Sequence, residues 1–276
     1  MLSLGSIELD CPAVMGILNT TPDSFSDGGC FTAPTAALLH AEQMARDGAA
    51  IIDVGGESTR PGAQAVSEQE EIDRVVPVIE ALRGAVDVPI SVDTSKPGVM
   101  RAAVAAGASM INDVRALRTG GALEAAVKLQ QPVCLMHMQG EPRTMQKDPQ
   151  YDDVVREVTQ FLRDRVAQCR QAGLGEDLIV IDPGFGFGKS QKDNIELLAN
   201  LRQLLDIGPP ILIGVSRKST LGAITGREVD ARLPASVAAA ILAVDRGAKI
   251  VRAHDVAATV DALQIAQAVI EADNSE

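Results

Sequence analysis

The sequence predicts a (β/α)8 barrel (TIM barrel) with a short N-terminal β-hairpin, and three observations carry that reading. Eight short apolar runs recur along the chain, stretches of helical character lie between them, and each run gives way to a polar or charged residue. Parallel strands buried on both faces read as continuous apolar runs, and barrel enzymes gather their chemistry at the C-terminal ends of such strands. The length also fits: 276 residues suit one barrel, whose usual size is about 250 residues. The strand–helix rhythm runs from Val14 to Ile270 without a linker, so residues 1–276 read as a single domain.

Residues 1–12 read as the hairpin, with Ile7 and Leu9 alternating with polar neighbours after a Gly5-Ser6 turn, and it is expected to plug the bottom of the barrel. The strands follow as VMGILN ending at Asn19, AIIDVGG with Asp53, PISVD ending at Asp93 and MINDV with Asn112 and Asp113. Then come VCLMH ending at His137, LIVID ending at Asp182, ILIGVSRK with Ser216 to Lys218, and IVRAH with Arg252 and His254. The first helix is predicted from Thr35 to Arg46, with Leu38, Ala41 and Ala45 on one face and Gly48 past its end. The fifth is predicted over about Tyr151 to Ala172, where Asp152 and Asp153 favour the N-terminus. A stripe of Leu197, Leu198, Leu201, Leu204 and Leu205 predicts the sixth, and SVAAAILAVDR the seventh, stopping at Gly247. Two connections, Thr20 to Pro34 and Gly55 to Val66, are long and rich in Gly, Pro, Ser, Thr and Asp. Both follow strand C-termini, where long loops serve as lids or binding loops.

Composition narrows the function classes. Apolar residues make up 46% but aromatics only 2%, so the core must be aliphatic. A net charge of −12 argues against nucleic acid or an anionic membrane as the main partner. It leaves room for a small anion at a local cluster such as Arg217, Lys218 and Arg252. Cys11, Cys30, Cys134 and Cys169 show no CxxC spacing, which disfavours zinc or iron–sulfur and fits a reducing compartment. The N-terminus does not read as a signal peptide and no run reaches the roughly 20 apolar residues of a membrane span. A cytoplasmic protein is the expectation.

The strand ends supply the candidate site. Asp93 and Asp182 are carboxylates able to accept paired hydrogen bonds from an amidine-like edge or to offset a cation; Asp53 does the same or holds a loop. Each alone is as well explained by turn capping, but together at strand ends they point to a site. Lys218, Arg252 and His254 put positive charge where barrels often bind phosphate. Asn19 is a neutral oxygen donor suited to Mg²⁺ when phosphates supply the charge, or a turn-former before Thr-Thr-Pro. His137 reads either as structural or as functional. GFGFGKS (184–190) fails as a phosphate loop, because Pro183 stands where the first glycine is required.

Read together, these segments resemble the dihydropteroate synthase family. MGILNTTPDSFSDGG (15–29) and IIDVGGESTRPG (51–62) match its two signatures, and VDTSKP, INDV, CLMHMQG, DPGFGFGK, GVSRKS and VRAHD follow in the family's order. Thr20 departs from the Val of many members, within what reads as the mobile first loop, and is expected to leave activity unchanged. The resemblance implies condensation of 6-hydroxymethyl-7,8-dihydropterin pyrophosphate with p-aminobenzoate, with Mg²⁺, in a homodimer. It implies a pterin pocket of Asp93, Asn112, Asp182 and Lys218 with Arg252 at its edge. Asn19, Thr59, Arg252 and His254 would hold the pyrophosphate, Asn19 the metal, and Thr59, Arg60, Pro61, Phe187 and Ser219 the aminobenzoate. Asp93, Lys218, Arg252 and His254 carry the catalytic expectation. Two rivals share parts of the pattern. A barrel moving a methyl group from methyltetrahydrofolate to a corrinoid has no use for the two long loops, and a non-catalytic paralogue is expected to lose loop residues that are intact here.

Overall fold

In the computed structural model, which describes residues 2–10, 12–20, 33–58, 65–141 and 144–273, the chain opens with an antiparallel hairpin, β1 (Leu2–Leu4) and β2 (Ile7–Leu9). Eight parallel strands follow: β3 (Ala13–Asn19), β4 (Ile51–Gly55), β5 (Ile90–Asp93), β6 (Met110–Asp113), β7 (Val133–Met136), β8 (Ile179–Asp182), β9 (Ile211–Ile213) and β10 (Ala248–Ala253). Each pairs with the next, and β10 pairs with both β9 and β3, through Val251 opposite Ile213 and Val14. The sheet is therefore a closed barrel. The helices are α1 (Ala33–Arg46), α2 (Glu68–Leu82), α3 (Pro97–Ala106), α4 (Ala122–Leu129), α5 (Val154–Gln171), α6 (Gln191–Ala199), α7 (Ser219–Thr225), α8 (Leu233–Asp245) and α9 (Val256–Asp273).

Alternation along the strands sorts side chains into two cores. Val14, Leu18, Ile52, Val54, Val92, Ile111, Leu135, Ile181 and Val251 face outward and pack with the helices. Met15, Ile51, Met110, Cys134, Val180, Leu212 and Ile250 form a separate cluster inside the barrel. That inner cluster also contains Leu4, Ile7 and Leu9, so the hairpin does plug the bottom, its turn made by Gly5 at φ +56°. The period of two then decides the mouth. Asp53, Asn112, Asp182 and Arg252 each lie two residues beyond a member of the inner cluster, and so share its inward parity.

The helices depart from the sequence expectation in detail. α1 begins at Ala33, and α5 spans Val154–Gln171 with Asp153 capping it by accepting from the Arg156 amide at 3.0 Å. α8 begins at Leu233, ahead of the predicted segment. The leucine stripe is not one helix: α6 ends at Ala199 and a 3-10 segment, Leu201–Ile207, follows. Asn200 donates its side-chain amide to the Glu196 carbonyl at 2.8 Å, a local bond that competes with helix continuation. Leu201 and Leu204 stay buried, while Leu205 turns out to 43% exposure.

Candidate active site

An ion-pair and hydrogen-bond network occupies the barrel mouth. Arg252 on β10 donates from Nε to Asp53 Oδ2 at 2.6 Å and from Nη2 to Asp93 Oδ2 at 2.8 Å, bridging β4 and β5 across the barrel. Asn112 on β6 donates to the same Asp53 oxygen at 3.0 Å. Asp53 is fully buried and its Oδ1 has no partner among the described residues. Of the two readings of Asp53, the structure favours a holder: it fixes Arg252 and Asn112 rather than a loop. Burial pushes the Asp93 carboxyl up, against the pull of Arg252, and the neighbouring Asp53, Glu71 and Asp113 push the same way. Arg252 itself stays charged, since those carboxylates outweigh its burial.

Asp113, next along β6, has the opposite parity and a different task. Its oxygens accept from the amides of Arg115 at 2.8 Å and Leu117 at 2.7 Å, and from the Ser95 hydroxyl, so it shapes the turn after β6.

Asp182 and Lys218 form the other side of the mouth. Burial raises the Asp182 carboxyl to about 6, against the Gly184 amide that donates to Oδ1 at 2.7 Å and against Lys218, Lys189 and Arg252. Burial lowers the Lys218 ammonium to about 8, helped by Arg252 and opposed by Asp182 and Asp93. The Lys218 Nζ stands 4.0 Å from the Phe187 ring centre, a cation–π contact. Phe187 packs on Val114, Met136, Met138 and Met145. Arg217 adopts φ +57°, and its guanidinium pairs with Asp255 while the chain reverses to bring Lys218 to the head of α7. Ser219, exposed, is the first residue of α7.

His254 corrects one expectation, because it does not add positive charge to the ligand-free site. Burial, Arg252 and Arg217 lower its imidazole to about 4. Its Nδ1 lies 3.0 Å from Ser216 Oγ, which also accepts the His254 amide at 3.2 Å.

Asn19 ends β3 on the inward parity, and a Cβ built at Gly55 would lie 3.8 Å from its Oδ1 and 3.9 Å from Asp93 Oδ2. Among the described residues no group of three or more His, Cys, Asp or Glu side chains is arranged to hold a metal. The oxygens near Asn19 therefore suit a cation that brings most of its ligands with it. Thr20, the residue after β3, is buried, and both its amide (2.8 Å) and its hydroxyl (3.1 Å) donate to the Gly55 carbonyl. Thr59, Arg60 and Pro61 lie outside the described residues.

The chain that builds this mouth matches a known family. The chain matches the pterin-binding enzyme model over residues 15–254. It is 54% identical to the dihydropteroate synthase of Haemophilus influenzae over 266 residues, 96% of this chain and 97% of that one. The chain belongs to the dihydropteroate synthase family. Its fold agrees with the Xanthomonas albilineans dihydropteroate synthase bound to 4-aminobenzoic acid, at TM-score 0.90 and 56% identity, covering 94% of this chain and 93% of that one. The same enzyme in complex with 7,8-dihydropteroate superposes at TM-score 0.88 with 52% identity, over 97% and 98% of the two chains.

Membership of that family does not account for a second buried cluster, under the DPGFGFGK turn. Lys189, 2% exposed, sends its Nζ to His137 Nδ1 at 2.9 Å, the Gly184 carbonyl at 2.9 Å and the Phe187 carbonyl at 3.0 Å. Burial and the adjacent cations lower His137 to about 2, so it is neutral and free to accept. Reading GFGFGKS as a failed phosphate loop left this lysine unassigned. Its only signal in the sequence was a lysine closing a glycine-rich turn, and nothing there pairs it with a histidine 52 residues away. A third lysine, Lys96, was also missed: it bridges Glu57, at the start of the second long loop, to the buried Glu71 of α2.

Proposed function

We propose that this chain carries out the dihydropteroate synthase reaction through an SN1-like cationic pterin, with the pterin between Asp182 and Lys218 and the pyrophosphate on Arg252 and His254. The observation that carries the reading is a buried carboxylate at the end of β8 within electrostatic reach of a half-buried ammonium after β9, with the Asp53–Arg252–Asp93 bridge across the mouth.

An ionised Asp182 accepts two hydrogen bonds from the amino and ring N–H edge of the pterin, and Lys218 donates to its ring carbonyl or N5. Asn112, already fixed by Asp53, lines the same floor. The bond from the exocyclic methylene carbon to the ester oxygen of the pyrophosphate breaks, both electrons leaving with pyrophosphate. The electron-rich pterin carries the resulting cation, and Asp93 stabilises it. The aminobenzoate nitrogen then supplies its lone pair to the carbon and loses one proton. This weakly basic amine needs no strong base. Arg252 can exchange one of its two carboxylates for a phosphate oxygen, which releases Asp93 towards the cation. Phe187 and Ser219, with Thr59, Arg60 and Pro61, would frame the aminobenzoate, and Thr59 would also reach the pyrophosphate.

Asn19 Oδ1 would contribute to holding Mg²⁺, the phosphates and water providing the other ligands. Such an ion neutralises charge on the leaving group. No helix among the described residues is long and apolar enough to cross a membrane, and a cytoplasmic setting is part of the proposal. So is a homodimer: Leu242 on α8 and Ile265 and Val269 on α9 are 46%, 70% and 57% exposed, beside an apolar groove between the two helices.

The test is pyrophosphate release measured with both substrates, with each alone, and with Mg²⁺ removed by chelation and restored. Release that requires both substrates and the metal is expected, with inhibition by a sulfonamide as an aminobenzoate mimic. Pterin binding without release would overturn the synthase reading, and normal turnover by Asp93→Ala would overturn its electrostatic role.

A further inference from the structure

The turn between β8 and α6 is poorly determined by its own backbone. Gly184, Gly186 and Gly188 all sit at positive φ, +69°, +83° and +57°. Two of them lie flush against the chain after β7: a Cβ at Gly184 would be 1.8 Å from the His137 carbonyl oxygen, and one at Gly188 would be 2.3 Å from that of Gln139. Three glycines in seven residues (183–189) leave such a segment many alternatives, so side chains must choose one. Tyr151 donates to the Gly188 carbonyl at 2.7 Å and Gln146 to that of Gly186 at 2.8 Å, while Asn194 accepts the Gly186 amide at 2.6 Å. Lys189 holds two further points of the turn, Gly184 and Phe187, and ties both to His137.

Those two points are the ones that matter to the mouth. The Gly184 amide donates to Asp182, and Phe187 carries the ring against Lys218. Burial lowers the Lys189 ammonium to about 7, and in the protonated form its three protons meet the three acceptors that surround it. We propose that Lys189, with His137 as its fixed acceptor, is a positioning residue that presets the Asp182 carboxylate and the Phe187 ring, and so sets affinity for both substrates. The proposal rests on the pterin and aminobenzoate assignments made above.

Steady-state kinetics with both substrates tests it. Lys189→Met keeps the length and removes the donors. The expected result is a rise in both KM values on the order of tenfold with kcat changed much less, because the loss is of preset ground-state binding. His137→Leu should act in the same direction. His137→Asn, whose amide oxygen can stand in for Nδ1, should restore both KM values to within about twofold of the parent. The proposal is overturned if Lys189→Met and His137→Leu lower the thermal midpoint but leave both KM values unchanged, or if His137→Asn behaves as His137→Leu does. Should Lys189→Met fail to fold, the two His137 variants decide by the same criteria. Asp182→Asn, run alongside, reports on the pterin assignment by itself. An unchanged pterin KM there overturns that assignment, whereas a raised one beside silent Lys189 and His137 variants overturns only the positioning role.

Discussion

Asp182 and Lys218 are moved towards each other by the same cause. Burial disfavours charge on both, bringing the carboxyl up to about 6 and the ammonium down to about 8. Pterin binding uses the carboxylate as acceptor and the ammonium as donor, so affinity should be greatest between those values and fall on either side. Titration of the pterin dissociation constant against pH checks this, and Asp182→Asn should weaken binding by about tenfold or more and abolish the acid limb. His254 gives a stability counterpart. Its folded value is below the 6.5 of a free imidazole, at about 4, so the folded state binds protons less well than the unfolded chain. Its contribution is complete above pH 6.5 and is lost as pH falls towards 4. Pyrophosphate beside it favours the imidazolium, so binding near pH 5–6 should take up a proton, seen as a buffer-dependent calorimetric heat. The same residue explains why charge could not be read from sequence: its type suggested a cation, but its neighbours keep it neutral.

At the scale of elements, the hairpin and the helix caps carry stability away from the chemistry. Ile7 is 3% exposed and packs in the inner cluster with Leu4, Leu9 and Met15. Ile7→Ala should cost about 2–5 kcal/mol in denaturant unfolding while leaving both KM values unchanged. Asp153→Ala removes the acceptor from the first turn of α5 and should cost about 1 kcal/mol. The long loops are a different class of element. Both read as loops from their Gly, Pro and Ser content, residues 21–32 and 59–64 lie outside the described residues, and shortening Ser24–Gly29 is expected to depress turnover more than pterin binding, a contrast that single-turnover and binding measurements resolve. The split of the leucine stripe at Asn200 was not legible, because apolar spacing near three to four residues serves α-helix and 3-10 turns alike.

At the scale of the whole molecule, the α8–α9 face presents exposed apolar side chains at Leu242, Ile265 and Val269. Ile265→Asp, at the 70% exposed position, should convert a dimer to monomer in sedimentation with the barrel intact. Closure of the barrel through β10 and β3 is what makes one site out of distant segments: Arg252 reaches Asp53 across 199 residues of chain and Asp93 across 159.

What the sequence by itself determined was the set of elements and the mouth. Apolar runs mark buried strands because both faces must be dry, and the polar residues in AIIDVGG, MINDV, LIVID and IVRAH place Asp53, Asn112, Asp182 and Arg252 at the strand ends. What only the tertiary structure decided was partnership. Asp53 became the holder of Arg252, Asp113 the shaper of a turn, His254 a neutral imidazole, and His137 the acceptor of Lys189. Each of those outcomes depends on burial and on which charge stands a few ångströms away, and both arise only when the eight strands close.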